Sequence, residues 1–419
     1  MTNVVALRRD PDFRRYLAAR VISVAGSRVT LVALPILVYQ LTGSAAWSAA
    51  MAAAETLPYL LFGLFAGVLA DRLDRRGLMV AADLLNAALL VSIPVTWALG
   101  GLTVEHVVVA GFLSQTLFVV FDAANFGALP TLVGKDRTTS AYATVSGMTT
   151  VVEMVVPPLA TLAVTLLSPA PMLTVDVLSY AISALLLRAI VRPLSAPDRA
   201  GRPRSLADIR TDVRGGLTFL WRHPTVRTLT LVGATHSAAG GAWVAMLLPW
   251  ADRSLGVPPS GDPRLAVLTS CWGVGALLAA KLVPTLSRRL GPARLALRAL
   301  PASLLCGLLV VFSSHWLLGA VAAVAWGTAY TTVVINAITF RQQVTPDELQ
   351  GRVNTTARML SYGLGQPLGA TLAGVVAVAA SPSAGLAAAV GVLAVGVVLA
   401  WCSPLRAEAR PERIYSTVS

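Results

Sequence analysis

The sequence predicts an all-α membrane protein with about 12 transmembrane helices in two pseudo-symmetric six-helix bundles. Three observations predict it: an apolar composition, about a dozen stretches of span length, and a repeat that relates the two halves. Hydrophobic residues make up 56% of the 419 and charged residues 13%, whereas a soluble protein is about a quarter charged. So few polar residues would not cover a soluble globule of this size.

A membrane-spanning helix needs roughly 20 mostly apolar residues. The predicted spans lie near residues 16–40, 45–70, 77–98, 104–126, 140–167, 171–191, 225–250, 264–286, 294–313, 316–340, 353–379 and 384–402. Glycine and alanine are abundant within them, and such small residues allow helices to pack closely in lipid.

Basic residues are concentrated in alternate loops. They precede the first span and follow the second, fourth, sixth, eighth and tenth. Lys and Arg are absent from the loops around Gly43, Gly101, Pro169 and Ser381. Only the loop after the seventh span departs from this, with Arg253 and Arg264. The positive-inside rule therefore predicts that both termini are cytoplasmic. We interpret the net charge of +13 as orienting the protein in the membrane and contacting anionic lipid, and not as a sign of nucleic-acid binding.

A polar stretch divides the chain near its middle. We expect an N-terminal six-helix bundle over 1–191, a cytoplasmic linker over 192–224, and a C-terminal six-helix bundle with a cytoplasmic tail over 225–419. Within the linker, residues Ser205–Trp221 have the pattern of an amphipathic helix on the membrane surface, with Ser205 as its N-cap and Asp208 three residues later.

The two halves repeat one another. Corresponding positions lie roughly 210 residues apart. They are Arg9-Asp10-Pro11 with Arg222-His223-Pro224, Asn125 with Asn336, Asp136 with Asp347, and Pro157-Pro158 with Gln366-Pro367. A parallel repeat of six spans favours a carrier whose halves rock about a substrate site near the membrane midplane.

The loop after the second span carries a motif, Gly67-Val-Leu-Ala-Asp71-Arg72-Leu-Asp74-Arg75-Arg76. An aspartate at a helix C-terminus is unfavourable against the helix dipole unless a cation or a facing helix N-terminus meets it, so such a contact can form in one conformation and break in another. The motif resembles the signature Gly-x-x-x-Asp-Arg-x-Gly-Arg-Arg of the major facilitator superfamily, except that Asp74 replaces the second glycine. We call this the latch motif; its predicted members are Gly67, Asp71, Arg72, Arg75 and Arg76.

Four further segments narrow this resemblance. Residues 33–44, 176–180, 215–224 and 343–353 are similar to the branch that contains macrolide-efflux and enterobactin-exporter-type proteins. The resemblance implies the major facilitator fold and an export function. Members of the branch commonly carry Gly-Asp in the first span, whereas this chain has Gly26-Ser27 followed by Arg28. A proton-coupling aspartate is therefore not transferred to that position.

Three ionisable residues lie deep within predicted spans, where a charge is costly unless it is paired or hydrated. Arg28 is midway along the first span, Glu55 near the middle of the second, and Glu153 midway along the fifth. A buried carboxylate can bind and release a proton near neutral pH, so these are the proton-coupling candidates. Alternatively, Arg28 neutralises Glu153 or Glu55 permanently, and the pair is structural.

The other polar residues within spans are weaker candidates for proton coupling. We expect structural roles for Asp83, near Arg75 or Arg76, for Asp122, beside a basic residue, and for Asp176 and Arg358. The substrate-cavity candidates are Asn336, His236, Trp243 and Lys281. Asn336 either contacts substrate or joins two helices, and His236 either packs through hydrogen bonds or couples to protons. Trp272 and Trp326 extend an aromatic wall, whereas Trp250 is expected at the membrane interface.

The sequence therefore predicts a secondary active exporter of small hydrophobic or amphipathic molecules of the drug, antibiotic or siderophore type. We expect export to be driven by proton antiport with alternating access. The protein is expected in the bacterial cytoplasmic membrane, as a monomer without a cleaved signal peptide. The alternatives are a non-transporting sensor or scaffold, and an uptake carrier working by facilitated diffusion. No enzymatic activity, cofactor, metal or disulfide is expected, because the nucleotide-binding, metal-ligating and nucleophile motifs are missing from the sequence.

Overall fold

The computed structural model describes residue 7 and residues 9–195 and 206–408. Ser205, the predicted N-cap of the linker helix, lies outside the described residues. Within them, 12 helices are long and apolar enough to cross a membrane, which confirms the all-α membrane fold. Their bounds agree with the predicted spans to within a few residues at most ends.

The first six spans are single helices. They are α1 (Pro11–Thr42), α2 (Ala45–Arg72), α3 (Arg75–Ala98), α4 (Val104–Val133), α5 (Thr138–Leu166) and α6 (Pro169–Arg188). The linker contains α7 (Leu206–Arg222), the helix predicted there. Four single-helix spans follow: α8 (Pro224–Leu255), α9 (Arg264–Leu290), α10 (Pro292–Val311) and α11 (Trp316–Val344).

The eleventh span is not one regular helix. It joins α12 (Asp347–Arg358), a π-helical segment (Met359–Gly365) and α13 (Gln366–Ala379). A π-helical turn inside a helix often marks a functional position. The twelfth span is α14 (Pro382–Trp401), and the short α15 (Leu405–Glu408) follows it.

The sequence repeat is visible where each half begins. Asp10 Oδ1 accepts hydrogen bonds from the backbone N–H groups of Asp12 and Phe13 at the start of α1. His223 is the N-cap of α8, and its Nδ1 accepts from Val226 N at 3.4 Å. A proline follows each cap, at the position where the missing N–H costs nothing. The paired triplets are therefore two versions of one helix start.

Contacts divide the chain into two compact units. Unit 1 comprises 1–42, 57–209 and 260–266, and unit 2 comprises 43–56, 210–259 and 267–419. The first part of α2 thus belongs to unit 2, where Ala49 lies against Gly374 of α13. The start of α9 belongs to unit 1, where Gly261 N donates to Thr165 O at 2.7 Å.

Unit 1 has an apolar core at the ends of its helices that carry the basic loops. Phe13 and Tyr16 of α1, Phe121 and Leu129 of α4, and Leu187 of α6 are among its buried members. Burial of such side chains contributes about 1.5–3 kcal/mol each relative to exposure in water. This core holds the ends of six helices together and fixes the surroundings of the latch motif.

Unit 2 is held by close contacts between α8 and the eleventh span. A Cβ atom at Gly241 would lie 2.1 Å from Gln366 O, and one at Gly369 would lie 1.8 Å from Ala238 O. Glycine is therefore required on both sides, since any side chain would separate the helices. These contacts position the π-helical segment against α8.

Candidate functional site

The structure brings together two of the three coupling candidates. A guanidinium N–H of Arg28 in α1 donates to Glu153 Oε1 in α5, and the two groups form an ion pair. Their side chains are 34% and 44% exposed, so both remain within reach of solvent or a ligand. Arg28 therefore neutralises Glu153 in this conformation, and both interpretations of the pair, a proton carrier and a permanent structural pair, stay predictions.

Glu55, the third candidate, lies apart from this pair. It is half-buried in the part of α2 that belongs to unit 2. Among the described residues it has neither a hydrogen-bond partner nor an ion-pair partner. A carboxyl group without a partner inside a span is costly when ionised, which keeps Glu55 a candidate.

The latch motif forms contacts within unit 1. Arg75 Nη2 lies 3.7 Å from Asp71 Oδ1, and Arg75 Nη1 donates to Gly127 O of α4 at 2.7 Å. A Cβ atom at Gly127 would lie 2.2 Å from Arg75 Cζ, so the guanidinium occupies space that only glycine leaves free. A Cβ at Gly67 would meet no atom within 4 Å. In this conformation the close contact of the motif therefore lies at Gly127 and not at Gly67.

Asp74, the departure from the family signature, has a definite role. Its Oδ2 accepts from Gly77 N at 2.8 Å and caps α3, while its Oδ1 accepts from Ser195 Oγ at 2.9 Å. Ser195 Oγ also accepts from Arg75 N at 2.9 Å. The aspartate thus ties the loop to the segment after α6, which a glycine would not do.

The other two arginines of the motif, Arg76 and Arg72, lie in different surroundings. Arg76 donates to the backbone carbonyls of Val191 and Arg192 beyond α6. Arg192 in turn forms ion pairs with Asp10 and Asp12 at the start of α1. Arg72 lines an apolar groove of about 330 Å³ between α2 and α4, together with Phe62, Phe65, Ala66, Val68, Leu69, Thr116 and Val120.

The expected partners of two aspartates are corrected. Asp83 does not meet Arg75 or Arg76, since both arginines turn to backbone carbonyls; it faces Ser183 of α6 and the charge of Arg20 in α1. Asp122 accepts a hydrogen bond from Tyr59 at 3.1 Å rather than pairing with a cation.

Asp176 occupies the packed role that was expected of it. It is fully buried and accepts hydrogen bonds from Thr30 and Ser179.

An aromatic cluster fills the middle of unit 2. Trp243 of α8 lies 5.3 Å from Trp272 of α9 and 5.6 Å from Trp326 of α11, between ring centroids. Tyr330 lies 4.9 Å from Trp272 and 5.6 Å from His236. Trp243, Trp326 and His236 are buried, whereas Trp272 and Tyr330 are half-buried. These two rings are the more accessible members of the aromatic cluster.

The other cavity candidates are dispersed. Asn336 is 2% exposed and donates to Pro292 O at 3.0 Å, so it joins α11 to α10. Lys281 of α9 is exposed. Trp250, expected at the interface, is fully buried and lies 5.8 Å from Trp243. That expectation is wrong because α8 extends to Leu255 and places Trp250 inside the helix.

Sequence reasoning overlooked Arg20 and Gly127. Arg20 is a charged residue within the first span, and its guanidinium lies 5.2 Å from the ring centroid of Phe121. Its position among apolar residues was a usable signal. Gly127 carries no comparable sign, because its importance depends on a side chain 52 residues away.

Twelve apolar helices, ionisable groups inside the spans and a latch-type loop together define a multi-spanning membrane transporter rather than an enzyme. Residues 16–362 match the profile of the Major Facilitator Superfamily. The chain belongs to that superfamily.

Curated relatives identify the branch. The multidrug efflux pump Tap of Mycolicibacterium fortuitum is 28% identical over 91% of this chain and 93% of that protein. The enterobactin exporter EntS of Escherichia coli O1:K1 / APEC is 24% identical over 95% of this chain and 93% of that protein. Macrolide efflux protein A of Streptococcus pyogenes is 26% identical over 52% of this chain and 53% of that protein. The predicted resemblance to this efflux branch is confirmed.

The fold is confirmed by solved structures as well. The crystal structure of nucleoside transporter NupG superimposes with a TM-score of 0.73 at 14% identity, covering 94% of this chain and 98% of NupG. This likeness supports the major facilitator fold alone.

Proposed function

We propose that the protein is a secondary active exporter that moves small hydrophobic or amphipathic molecules out of the cell in exchange for protons. The observation that carries the proposal is the Arg28–Glu153 ion pair, which joins two spans and remains partly exposed. Export of drug- or siderophore-type compounds is supported by relatives named for multidrug efflux, macrolide efflux and enterobactin export.

The ion pair gives the exchange a physical basis. While Arg28 binds Glu153, the guanidinium balances the charge of the carboxylate within the spans. When the pair opens during alternating access, Glu153 takes up a proton so as not to remain an isolated charge. Substrate competing for Arg28, or helix movement separating α1 from α5, would open it. Glu55, which has no partner among the described residues, is the second proposed carrier.

Conformational control is assigned to the latch motif. Arg75 is placed by Asp71 and by the carbonyl of Gly127, so movement of α4 relative to the loop would alter both contacts. Arg72 and Arg76 complete the motif. Because Gly67 has no side chain, another helix would be able to pack closely against α2 there in another state of the transport cycle.

Substrate recognition is assigned to the aromatic face of unit 2. Trp272 and Tyr330 are half-buried and the most accessible rings of the cluster, while Trp243 and His236 pack against them. Planar apolar molecules stack on such faces. Lys281 is exposed and would suit an anionic or hydrogen-bonding group; Asn336 is retained only as a residue that holds α11 in place.

We further propose that the protein acts as a monomer and lies in the bacterial cytoplasmic membrane. The alternating charge of its loops supports an orientation with both termini inside. The same pattern supports the division into a bundle over 1–191, a linker over 192–224 and a bundle over 225–419.

Transport in proteoliposomes tests the proposal. Purified protein is reconstituted, a pH gradient is imposed, and movement of ethidium and radiolabelled erythromycin is followed together with internal pH. We expect uphill movement of at least one probe, with protons moving in the opposite direction.

Transport that ignores the gradient would indicate facilitated diffusion, and binding without transport would indicate a sensor or scaffold. Probe-induced proton movement that persists in the double variant Glu55→Gln/Glu153→Gln would overturn the assignment to those carboxylates while leaving antiport intact.

A further inference from the structure

Unit 1 contains a buried polar layer that the proposed mechanism leaves unused. It lies between α1, α3 and α6 and includes two carboxyl groups: Asp83 is 1% exposed and Asp176 is 0% exposed. Its polar members are Arg20, Ser27, Thr30, Asp83, Asn86, Asp176, Ser179, Tyr180 and Ser183. Ionisable groups this deep in a membrane protein are costly unless paired, and they commonly have a function.

Asp176 sits at a point where α1 and α6 approach closely. A Cβ atom at Gly26 would lie 2.4 Å from Asp176 Oδ1 and 2.0 Å from Ser179 Oγ. The carboxyl group accepts hydrogen bonds from Thr30 Oγ1 and, at 2.8 Å, from Ser179 Oγ. Both donors are neutral hydroxyls. Asp176 is therefore hydrogen-bonded but has no cation to balance its charge among its described partners.

Asp83 lies on the other side of the layer, where it faces the Ser183 hydroxyl of α6. Its Oδ2 is buried without a hydrogen-bond partner among the described residues, and so are Asn86 Oδ1, one helical turn along α3, and Ser183 Oγ on α6. Asn86 Oδ1 is an amide oxygen and can only accept a hydrogen bond, and Asp83 Oδ2 can only accept one while the carboxyl group is ionised. A buried acceptor without a donor costs about 1–3 kcal/mol. A proton on Asp83 would supply the missing donor.

The charges of the layer do not balance. Arg20 of α1 and Tyr180 of α6 are the other charged and titratable groups that face the two aspartates. Tyr180 is linked to Ser27 at 3.0 Å and lies near enough to interact with both carboxyl groups. Two carboxylates against one guanidinium leave one excess negative charge, and a single bound proton removes it.

We propose that Asp83 and Asp176 form a proton-binding site that takes up one proton per cycle, in addition to any proton carried by Glu153 or Glu55. The proton comes from water, forms an O–H bond on one of the two carboxyl groups, and returns to water when α1, α3 and α6 move apart. The site deepens the proposed antiport and rests on it.

Packing favours a proton over a metal cation. The Asp176 oxygens already accept from two hydroxyls, and α1 approaches so closely at Gly26 that the space beside Oδ1 is filled. A sodium ion needs several oxygen ligands arranged around an open centre, whereas a proton needs no additional volume.

Isosteric variants in proteoliposomes test the site. Asp83→Asn and Asp176→Asn keep the shape and some hydrogen bonds of each side chain, and Asp122→Asn is the matched control, since Asp122 bonds to Tyr59 outside the layer. For each variant, ethidium or erythromycin transport driven by a pH gradient is compared with counterflow, which requires no net proton movement. We expect each layer variant to lose gradient-driven transport and keep counterflow, and the control to keep both.

The outcomes separate the two proposals. Gradient-driven transport in the wild type that survives in both layer variants would overturn the proton site alone. Wild-type transport without any gradient dependence would overturn antiport, and the site would then be judged by infrared spectroscopy of the purified wild type.

The infrared measurement also serves if a variant does not fold. We expect the wild type, Asp122→Asn and the double variant Glu55→Gln/Glu153→Gln, which lacks the other two proposed carriers, to show, at neutral pH, the carbonyl stretch of a buried protonated carboxylic acid that disappears at high pH. A missing stretch, or one removed by sodium ions at constant pH, would overturn the proposal.

Discussion

The guanidinium of Arg28 and the carboxylate of Glu153 form an ion pair that joins α1 to α5 within unit 1. The two residues are 125 positions apart in the chain. Each is the charged residue nearest the middle of its span. Because both side chains are a third to nearly half exposed, solvent screening limits the contribution of the pair to stability, and its rupture during transport is energetically accessible.

Exchange of the two charges tests whether this pair is structural or functional. Arg28→Gln and Glu153→Gln each leave one charge unpaired, so we expect both to reduce gradient-driven transport of ethidium. In the double variant Arg28→Glu/Glu153→Arg the pair is restored with the carboxylate on α1. We expect normal membrane insertion and melting temperature but no recovery of gradient-driven transport, because the proton carrier has moved. Full recovery would identify a purely structural pair.

Glu55→Gln separates stability from coupling. The substitution removes an ionisable group that has no described partner, and a charge inside a span costs about 2.5–3.5 kcal/mol. We therefore expect an unchanged or higher melting temperature together with weaker dependence of transport on the pH gradient. Glu105→Gln, at the exposed start of α4, is the control and should change neither. A clear drop in melting temperature would instead assign Glu55 to packing.

Three glycine-to-alanine variants test the latch motif. Gly127→Ala should displace the Arg75 guanidinium, since the new Cβ would overlap it, and should lower both transport and stability. Gly67→Ala meets no neighbour in this conformation, so we expect normal stability with reduced transport if α2 is approached closely in another state. Gly147→Ala, exposed in α5 and also free of neighbours, should leave transport intact. Equal behaviour of Gly67→Ala and Gly147→Ala would contradict the proposed role of Gly67.

These residues show which part of the structure was predictable. Span positions follow from local hydropathy, and the starts of α1 and α8 follow from a cap and a proline that are adjacent in sequence. The span positions were predicted because hydropathy is local, whereas the two helix starts were recognised from the sequence only as corresponding triplets of the repeat. The pairing of Arg28 with Glu153 was one of two alternatives, since depth within a span indicates which groups are able to meet but not which do.

Long-range packing accounts for what was not predicted. Gly127 matters only because Arg75 reaches it, and Asp83 turns away from the nearby arginines because their guanidinium groups bind carbonyls. Trp250 appeared to end a span, yet Gly319 leaves room for its ring inside unit 2. Each outcome depends on a residue distant in sequence, which hydropathy and spacing do not specify.

Asp74 provides a test of the departure from the family signature. Asp74→Ala removes the cap of α3 and the acceptor for Ser195, and we expect a loss of about 1 kcal/mol in stability, which is typical for an N-cap. The measurement is thermal unfolding in detergent. Asp74→Asn retains an oxygen that can cap and should lose less. Identical melting of Asp74→Ala and wild type would show that the cap observed at Gly77 N does not contribute.

The aromatic face of unit 2 predicts a separation between binding and stability. Trp272 is only half-buried, so Trp272→Ala should weaken ethidium binding more than it weakens the fold; an aromatic contact is worth about 0.5–1.5 kcal/mol, or roughly a 2- to 10-fold rise in Kd. Trp243 is 4% exposed, and Trp243→Ala should chiefly destabilise the protein, since such truncations cost about 3–5 kcal/mol. Trp221→Ala, in the exposed part of α7, is the control. Binding is measured by fluorescence polarisation of ethidium and stability by thermal unfolding. If Trp272→Ala and Trp221→Ala bind ethidium equally well, Trp272 is not part of the substrate surface, and the half-buried rings of this unit face lipid instead.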